Sequence, residues 1–184
     1  VLGSLQNRLA PTPEETKTEL IDFIESIQAS ITAIERCRKP VLAAIHGGCI
    51  GGGVDIVTAC DMRYCTEDAY FTVKEVDLGI VADIGTLQRL PRILQPGLVA
   101  ELAFTGRKMY GPEALTNGMV NRTFPDRNTL ISGVTKVATA IATKPTKVVQ
   151  GIQTNLLYNP QHNQEHRHNT SPPSPPTTPV GNKA

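Results

Sequence analysis

Apolar residues between positions 12 and 37, "TPEETKTELIDFIESIQASITAIERC", recur every three or four places at Leu20, Phe23, Ile24, Ile27, Ile31 and Ile34. This spacing predicts a long amphipathic helix with one apolar face. Thr12, Pro13 and Glu15 fit a capped start, and Pro40 ends the pattern. The run "VLAAIH" (41–46) is continuously apolar and predicts a short strand buried on both faces. "GGCIGGG" (47–53) reads as a loop, and "VDIVTACD" (54–61) as a helix of about two turns. "MRYC" (62–65), "YFTV" (70–73) and "MVNRTF" (119–124) are predicted strands. "GTLQRLPRIL" (85–94), "LVAELAFTG" (98–106) and "GPEALTNG" (111–118) are predicted helical, with Gly106 and Gly118 as stops. Pro145 divides two further helices over 126–144 and 146–158. Strands and helices alternate, so the fold class is α/β.

Beyond Tyr158 the pattern fails: "NPQHNQEHRHNTSPPSPPTTPVGNKA" is proline-rich and nearly free of apolar residues. Such a segment buries too little surface to offset the entropy of ordering it, which predicts a disordered tail over 159–184. The expected organisation is an irregular N-terminus (1–11), one globular core (12–158) and that tail, without internal repeats. A chain of 184 residues, 40% of them hydrophobic, suffices for one such core.

Charge and cysteine content narrow the chemistry. Eighteen basic and 17 acidic residues leave a formal charge of +1, and the basic residues form no patch that would follow a nucleic-acid backbone. No apolar run reaches the ~20 residues of a membrane span, and the first residues lack the layout of a secretory signal. Cys37, Cys49, Cys60 and Cys65 have neither paired zinc-site spacing nor the density of a disulfide scaffold; buried free thiols in a reducing compartment are expected.

Two stretches carry candidate chemistry. "HGGCIGGGVD" (46–55) sets five glycines between a predicted strand and helix. Glycines there allow positive φ and close backbone approach, and a helix start adds partial positive charge, which suits an oxyanion. Tight packing of a strand–helix turn explains the same pattern. No G-x-x-x-x-G-K-[ST] is present, so a nucleotide P-loop is not supported. Asp55 lies about one turn into the helix, facing the glycine loop or serving as an ordinary first-turn acid; Asp61 is read as structural.

In "KEVDLGIVADIG" (74–85) an apolar run apt for burial is bracketed by Glu75 and Asp83, with Gly79 as the bend. If the segment folds back, the two carboxyls face each other across a small pocket, and apolar surroundings separate their pKa values into one proton donor and one base. Solvation, or pairing with Lys74, Arg89 or Arg92, is the competing account, and Asp77 is assigned to it. His46 is read as a hydrogen-bonded structural histidine. His162, His166 and His168 have metal-like spacing in a segment without fixed geometry, and "SPPSPP" is read as a spacer.

"KPVLAAIHGGCIGGGVDIVTACDMRYC" together with "FTVKEVDLGIVADIGTLQRLPRIL" resembles the enoyl-CoA hydratase/isomerase (crotonase) superfamily, and its dienoyl-CoA isomerase branch in particular, over roughly residues 20–158. The resemblance implies a ClpP/crotonase ββα spiral. It also implies isomerisation of 3,5-dienoyl-CoA to 2,4-dienoyl-CoA in fatty-acid β-oxidation, in peroxisome or mitochondrion. By position, Asp83 would be the base at C2, Glu75 the acid at C6, Asp55 the acid that keeps Glu75 protonated, and Gly52, beside Gly51, an oxyanion N–H donor. Hydratases of the superfamily carry Glu and Gly where Asp55 and Asp83 stand. The implied partners are an acyl-CoA substrate and a homo-oligomer, trimer or hexamer; no metal or redox cofactor is implied, CoA being part of the substrate. The family's N-terminal strands, with "F-[ST]-A-G-x-D", and its C-terminal interface helices are expected to be missing. Two alternatives follow: an impaired crotonase-like chain acting in subunit binding, or an enoyl-CoA hydratase.

Overall fold

A computed structural model describes residues 13–157, with side chains from residue 17. Helix α1 (Pro13–Glu35) comes first, followed by β1 (Leu42–Ile45), β2 (Gly48–Ile50) and α2 (Gly52–Thr58). Then come β3 (Met62–Thr66), β4 (Tyr70–Thr72), a 3-10 turn (Lys74–Leu78) and the short helix α3 (Thr86–Arg89). The remainder is α4 (Pro96–Thr105), β5 (Met109–Tyr110), α5 (Gly111–Thr116), β6 (Arg122–Phe124), α6 (Arg127–Ala142) and α7 (Thr146–Leu157).

Strands β1 to β4 alternate between two sheets, β5 then joins the sheet of β4, and β6 returns to the sheet of β3. One sheet has the order β1-β3-β6, all parallel, with Ile45 beside Cys65 and Thr66 beside Phe124. The other has the order β2-β4-β5, parallel then antiparallel, with Cys49 beside Phe71 and Tyr70 beside Tyr110. The turns β1-β2-α2 and β3-β4 followed by α3 and α4 each add one strand to each sheet, so the chain advances as a ββα spiral, and β5-α5-β6 completes both sheets. The α/β class and the spiral expected of the sequence are both present.

The core is one cluster that includes Ile45, Val54, Cys65, Phe71, Leu90, Leu102, Met109 and Met119, contributed by both sheets and the helices between them. All four cysteines are free thiols; Cys49, Cys60 and Cys65 are buried and Cys37 is half-buried. Burial pushes the Cys49 thiol up to about 12 and the Cys65 thiol up to about 11. Asp61 is structural as read: its carboxylate accepts from the Val41 N–H at 2.7 Å and lies 3.4 Å from Gln153 Nε2. Gln153 also donates to the Cys37 carbonyl at 2.6 Å, tying α7 to the exit of α1.

Three sequence expectations are corrected here. The glycine-rich segment is not all loop: Gly48–Ile50 pairs with β4, because glycines flanking one Cys-Ile pair give no strand periodicity to read. Strand β1 is not buried on both faces; among the described residues it stands at the edge of its sheet, with Ile45 buried and Ala44 exposed. Alanine outside and alanine inside look alike in a sequence. The run between Glu75 and Asp83 is not buried either: Leu78 is 53%, Ile80 45% and Val81 69% exposed, and only Ala82 reaches the core. Among the described residues no helix is long and apolar enough to cross a membrane. The Thr12 cap, His162, His166, His168 and the "SPPSPP" segment lie outside the described residues.

Candidate active site

The site forms where the β2–α2 turn, the 3-10 turn after β4 and the segment leading into α3 meet. Gly51 has φ +53°, a conformation that side-chain-bearing residues rarely adopt, and a Cβ there would stand 3.0 Å from Glu75 Oε1. The absent side chain therefore makes room for the Glu75 carboxyl against the turn. Gly52 begins α2, with the Ile84 side chain 3.8 Å from where its Cβ would be. The first N–H groups of a helix have no acceptor within it, so the Gly52 N–H points out of the ladder. Gly51 differs: its N–H donates to the Thr72 carbonyl at 3.0 Å, so it shapes the turn and is not a free donor.

Asp55, one turn further on, is wholly buried. Its Oδ1 accepts from the Thr86 N–H at 2.6 Å, while Oδ2 is buried without a hydrogen bond among the described residues. Burial raises its pKa, against the opposing pull of the Thr86 bonds and the nearby Arg89 charge. Glu75 is part-buried, and its Oε2 also lacks a hydrogen-bond partner among the described residues. Burial raises the Glu75 pKa first of all, and the charges of Asp55 and Asp83 raise it further. Two neighbouring acids, each with an orphaned oxygen, favour a state that retains a proton between them.

Asp83 lies on the other side of Gly79, the left-handed residue (φ +70°) that ends the 3-10 turn. It is exposed and borders an open cleft of about 280 Å³ between α1 and α3. Its carboxylate has no hydrogen bond among the described residues, while its backbone carbonyl accepts from Gln28 Nε2 at 2.7 Å. The fold thus gathers Gly51, Gly52, Asp55, Glu75 and Asp83, with one acid buried, one half-buried and one open to water.

The competing ion pairs fall elsewhere. Asp77 pairs with Lys74, as assigned. Arg89 and Arg92 hold neither Glu75 nor Asp83; both bind Glu35 of α1, at 3.0 and 3.2 Å. His46 is exposed and has no hydrogen bond among the described residues, so its reading as a hydrogen-bonded structural histidine is corrected: it follows Ile45, the last core residue of β1. Sequence reasoning missed Thr86, whose backbone N–H is what Asp55 holds, and it missed Gln28 and Glu35. The polar spacing 28, 32 and 35 beside the apolar face of α1 was the available signal.

The sequence pattern of the family described as enoyl-CoA hydratase/isomerase matches residues 11–170. The chain belongs to this family. It is 54% identical over 144 residues to the mitochondrial Delta(3,5)-Delta(2,4)-dienoyl-CoA isomerase of Rattus norvegicus, which covers 78% of this chain and 44% of that protein. It is 57% identical over 134 residues to the peroxisomal Delta(3,5)-Delta(2,4)-dienoyl-CoA isomerase of Arabidopsis thaliana, covering 73% of this chain and 48% of the relative. The chain therefore spans about half the length of these relatives. Among solved structures, a Thermobifida fusca YX protein in complex with acetoacetyl-CoA superposes with a TM-score of 0.73 at 26% identity, covering 76% of this chain and 55% of that one. The crotonase fold implied by the two motifs is thus the fold of this enoyl-CoA hydratase/isomerase family member.

Proposed function

We propose that this chain carries the proton-transfer machinery of a dienoyl-CoA isomerase, acting on a 3,5-dienoyl-CoA. The observation that carries this reading is the pair of unlike acids flanking the Gly79 bend. Glu75 has a buried, unpartnered oxygen and a raised pKa, which suits a proton donor. Asp83 is open to water at the cleft, which suits a base that must shed its proton after each turnover. The likeness to the Rattus norvegicus and Arabidopsis thaliana isomerases supports the same reaction.

In this mechanism Asp83 removes a proton from C2, and the C–H electron pair passes into the thioester carbonyl as an enolate. The Gly52 N–H stabilises the enolate oxygen. The electrons then return to form C2=C3, C3=C4 shifts to C4=C5, and the C5=C6 π pair breaks to take the proton from Glu75 at C6. Asp83 ends protonated and Glu75 ionised, and solvent exchange resets both. Asp55, fixed by the Thr86 N–H, raises the proton affinity of Glu75 through its charge. No group beyond the chain and the acyl-CoA enters the proposed steps. The names of the relatives place them in mitochondria or peroxisomes, and we assign this chain to one of those compartments. A family-type homo-oligomer is likewise part of the proposal.

The test is the ultraviolet absorbance gained when 3,5-dienoyl-CoA becomes conjugated, with Asp83→Asn alongside. A rise that disappears in the variant is expected. No rise from a folded sample refutes the proposal, and hydration of a 2-enoyl-CoA in its place would favour a hydratase.

A further inference from the structure

Asp83 is the least restrained of the three acids: its carboxylate touches no hydrogen-bond partner among the described residues. Its place at the cleft is therefore fixed through its backbone. Gln28, Thr32 and Glu35 stand at i, i+4 and i+7 on α1 and so share one helix face. Gln28 Nε2 donates to the Asp83 carbonyl at 2.7 Å. Thr32 Oγ1 accepts from an Arg89 terminal nitrogen at 3.1 Å, and Glu35 accepts from Arg89 Nε at 3.0 Å.

Arg89 is 8% exposed, and its guanidinium occupies the space that a Cβ on Gly85 would need. Gly85 itself has φ +133°, so both its conformation and its contact demand glycine. The next residue, Thr86, gives its N–H to Asp55. The four residues from Asp83 to Thr86 are thus pinned at one end by Gln28, in the middle by Arg89 and at the other end by Asp55. A buried Arg–Glu pair is not in itself a stabilising device, because desolvation offsets much of its attraction. A pair built at this point instead fixes geometry.

We propose that Gln28, Thr32 and Glu35 of α1 are positioning residues, forming a clamp that sets the place of Asp83 relative to Glu75 and Asp55 through the Asp83 carbonyl and the Arg89 guanidinium. The proposal rests on the isomerase reading for its kinetic consequence and on the geometry alone for its structural one. A base displaced by about an ångström loses rate far more than affinity.

Gln28→Ala removes one anchor without touching a reacting group, and Glu35→Gln loosens Arg89 without touching Asp83. Both are to be assayed in the full chain with 3,5-dienoyl-CoA. The titration of Glu75, which faces Asp55 and Asp83, is to be followed in parallel by carboxyl carbon NMR. We expect kcat to fall about tenfold in Gln28→Ala, with KM within about twofold and little change in Tm. The Glu75 midpoint should fall as the Asp83 charge moves away. Unchanged kcat and an unchanged Glu75 midpoint in both variants overturn the clamp. So does a loss of kcat that only follows a loss of Tm, since that outcome makes α1 mere scaffold. If the wild-type chain does not turn over 3,5-dienoyl-CoA, the isomerase reading fails and the Glu75 midpoint alone decides the clamp.

Discussion

The two sides of the Gly79 bend place the same chemical group in opposite settings. On one side Glu75 lies against the glycine turn, with a buried oxygen and a raised pKa. On the other Asp83 stands exposed at a cleft and is held only by its backbone. The difference teaches that the proposed acid and base roles would follow from surroundings, since the side chains differ by one methylene. The bend is what makes the two settings available within eight residues.

The largest expected effect removes the exposed partner. Asp83→Asn should lower isomerase turnover by about 100- to 10,000-fold, the range of a general base, with Tm close to wild type because the residue is exposed. Rate and melting temperature measured on one preparation check it; a large fall in Tm would mean that Asp83 is structural and that the comparison fails.

Next comes the buried support. Asp55→Ala leaves the Thr86 N–H without its acceptor inside the protein, a loss of about 1–3 kcal/mol in denaturant unfolding. Asp55→Asn keeps an acceptor and removes the charge, so it should be the milder change and should lower the Glu75 midpoint. Equal destabilisation by both would show that the hydrogen bond is not what Asp55 supplies.

A pH series sharpens the same contrast. Glu75 has a folded pKa raised above its ordinary 4.5, so the folded state binds more protons than the unfolded state in that window. Its contribution therefore disfavours folding as pH rises from the ordinary value through the raised one. Glu113, held below 4.5 by Arg107, works the other way: its stabilisation is complete above 4.5 and is lost as pH falls through the lowered value. Unfolding midpoints of wild type and Glu75→Gln, taken from about pH 3 to about pH 8, should diverge with increasing pH, the variant being the more stable. Parallel curves would place Glu75 in water.

The smallest effect concerns the run between the acids. Val81 is 69% exposed, so Val81→Ser should change stability by no more than about 0.5 kcal/mol. If the acyl chain lies there, KM should rise about threefold or more from the lost apolar contact. An unchanged KM would remove this run from the substrate path.

Local signals in the sequence carried the elements. The three- and four-residue spacing from Leu20 to Ile34 gives α1, and Gly106 and Gly118 end helices where expected. The acids were legible because carboxylates bracketing a greasy run are chemically unusual. What was not legible depends on distance along the chain. The Gln28–Asp83 contact spans 55 residues and the Glu35–Arg89 contact 54, and no local pattern encodes such pairings. The exposure of Leu78 to Val81 also escaped, since apolar character predicts burial without saying whether a protein core or another molecule supplies it. Strand β2 escaped because three residues between glycines are too few to show a period.

The cysteines give the molecule a built-in reporter. With the Cys49 and Cys65 thiols pushed to about 12 and about 11 and shut away from solvent, almost none of either is thiolate near neutral pH. An alkylating reagent added to the native protein should therefore mark Cys37 first, and the remaining thiols only as fast as the spiral opens. Counting labels against time by mass spectrometry would time the opening of both sheets, through Cys49 on β2 and Cys65 on β3.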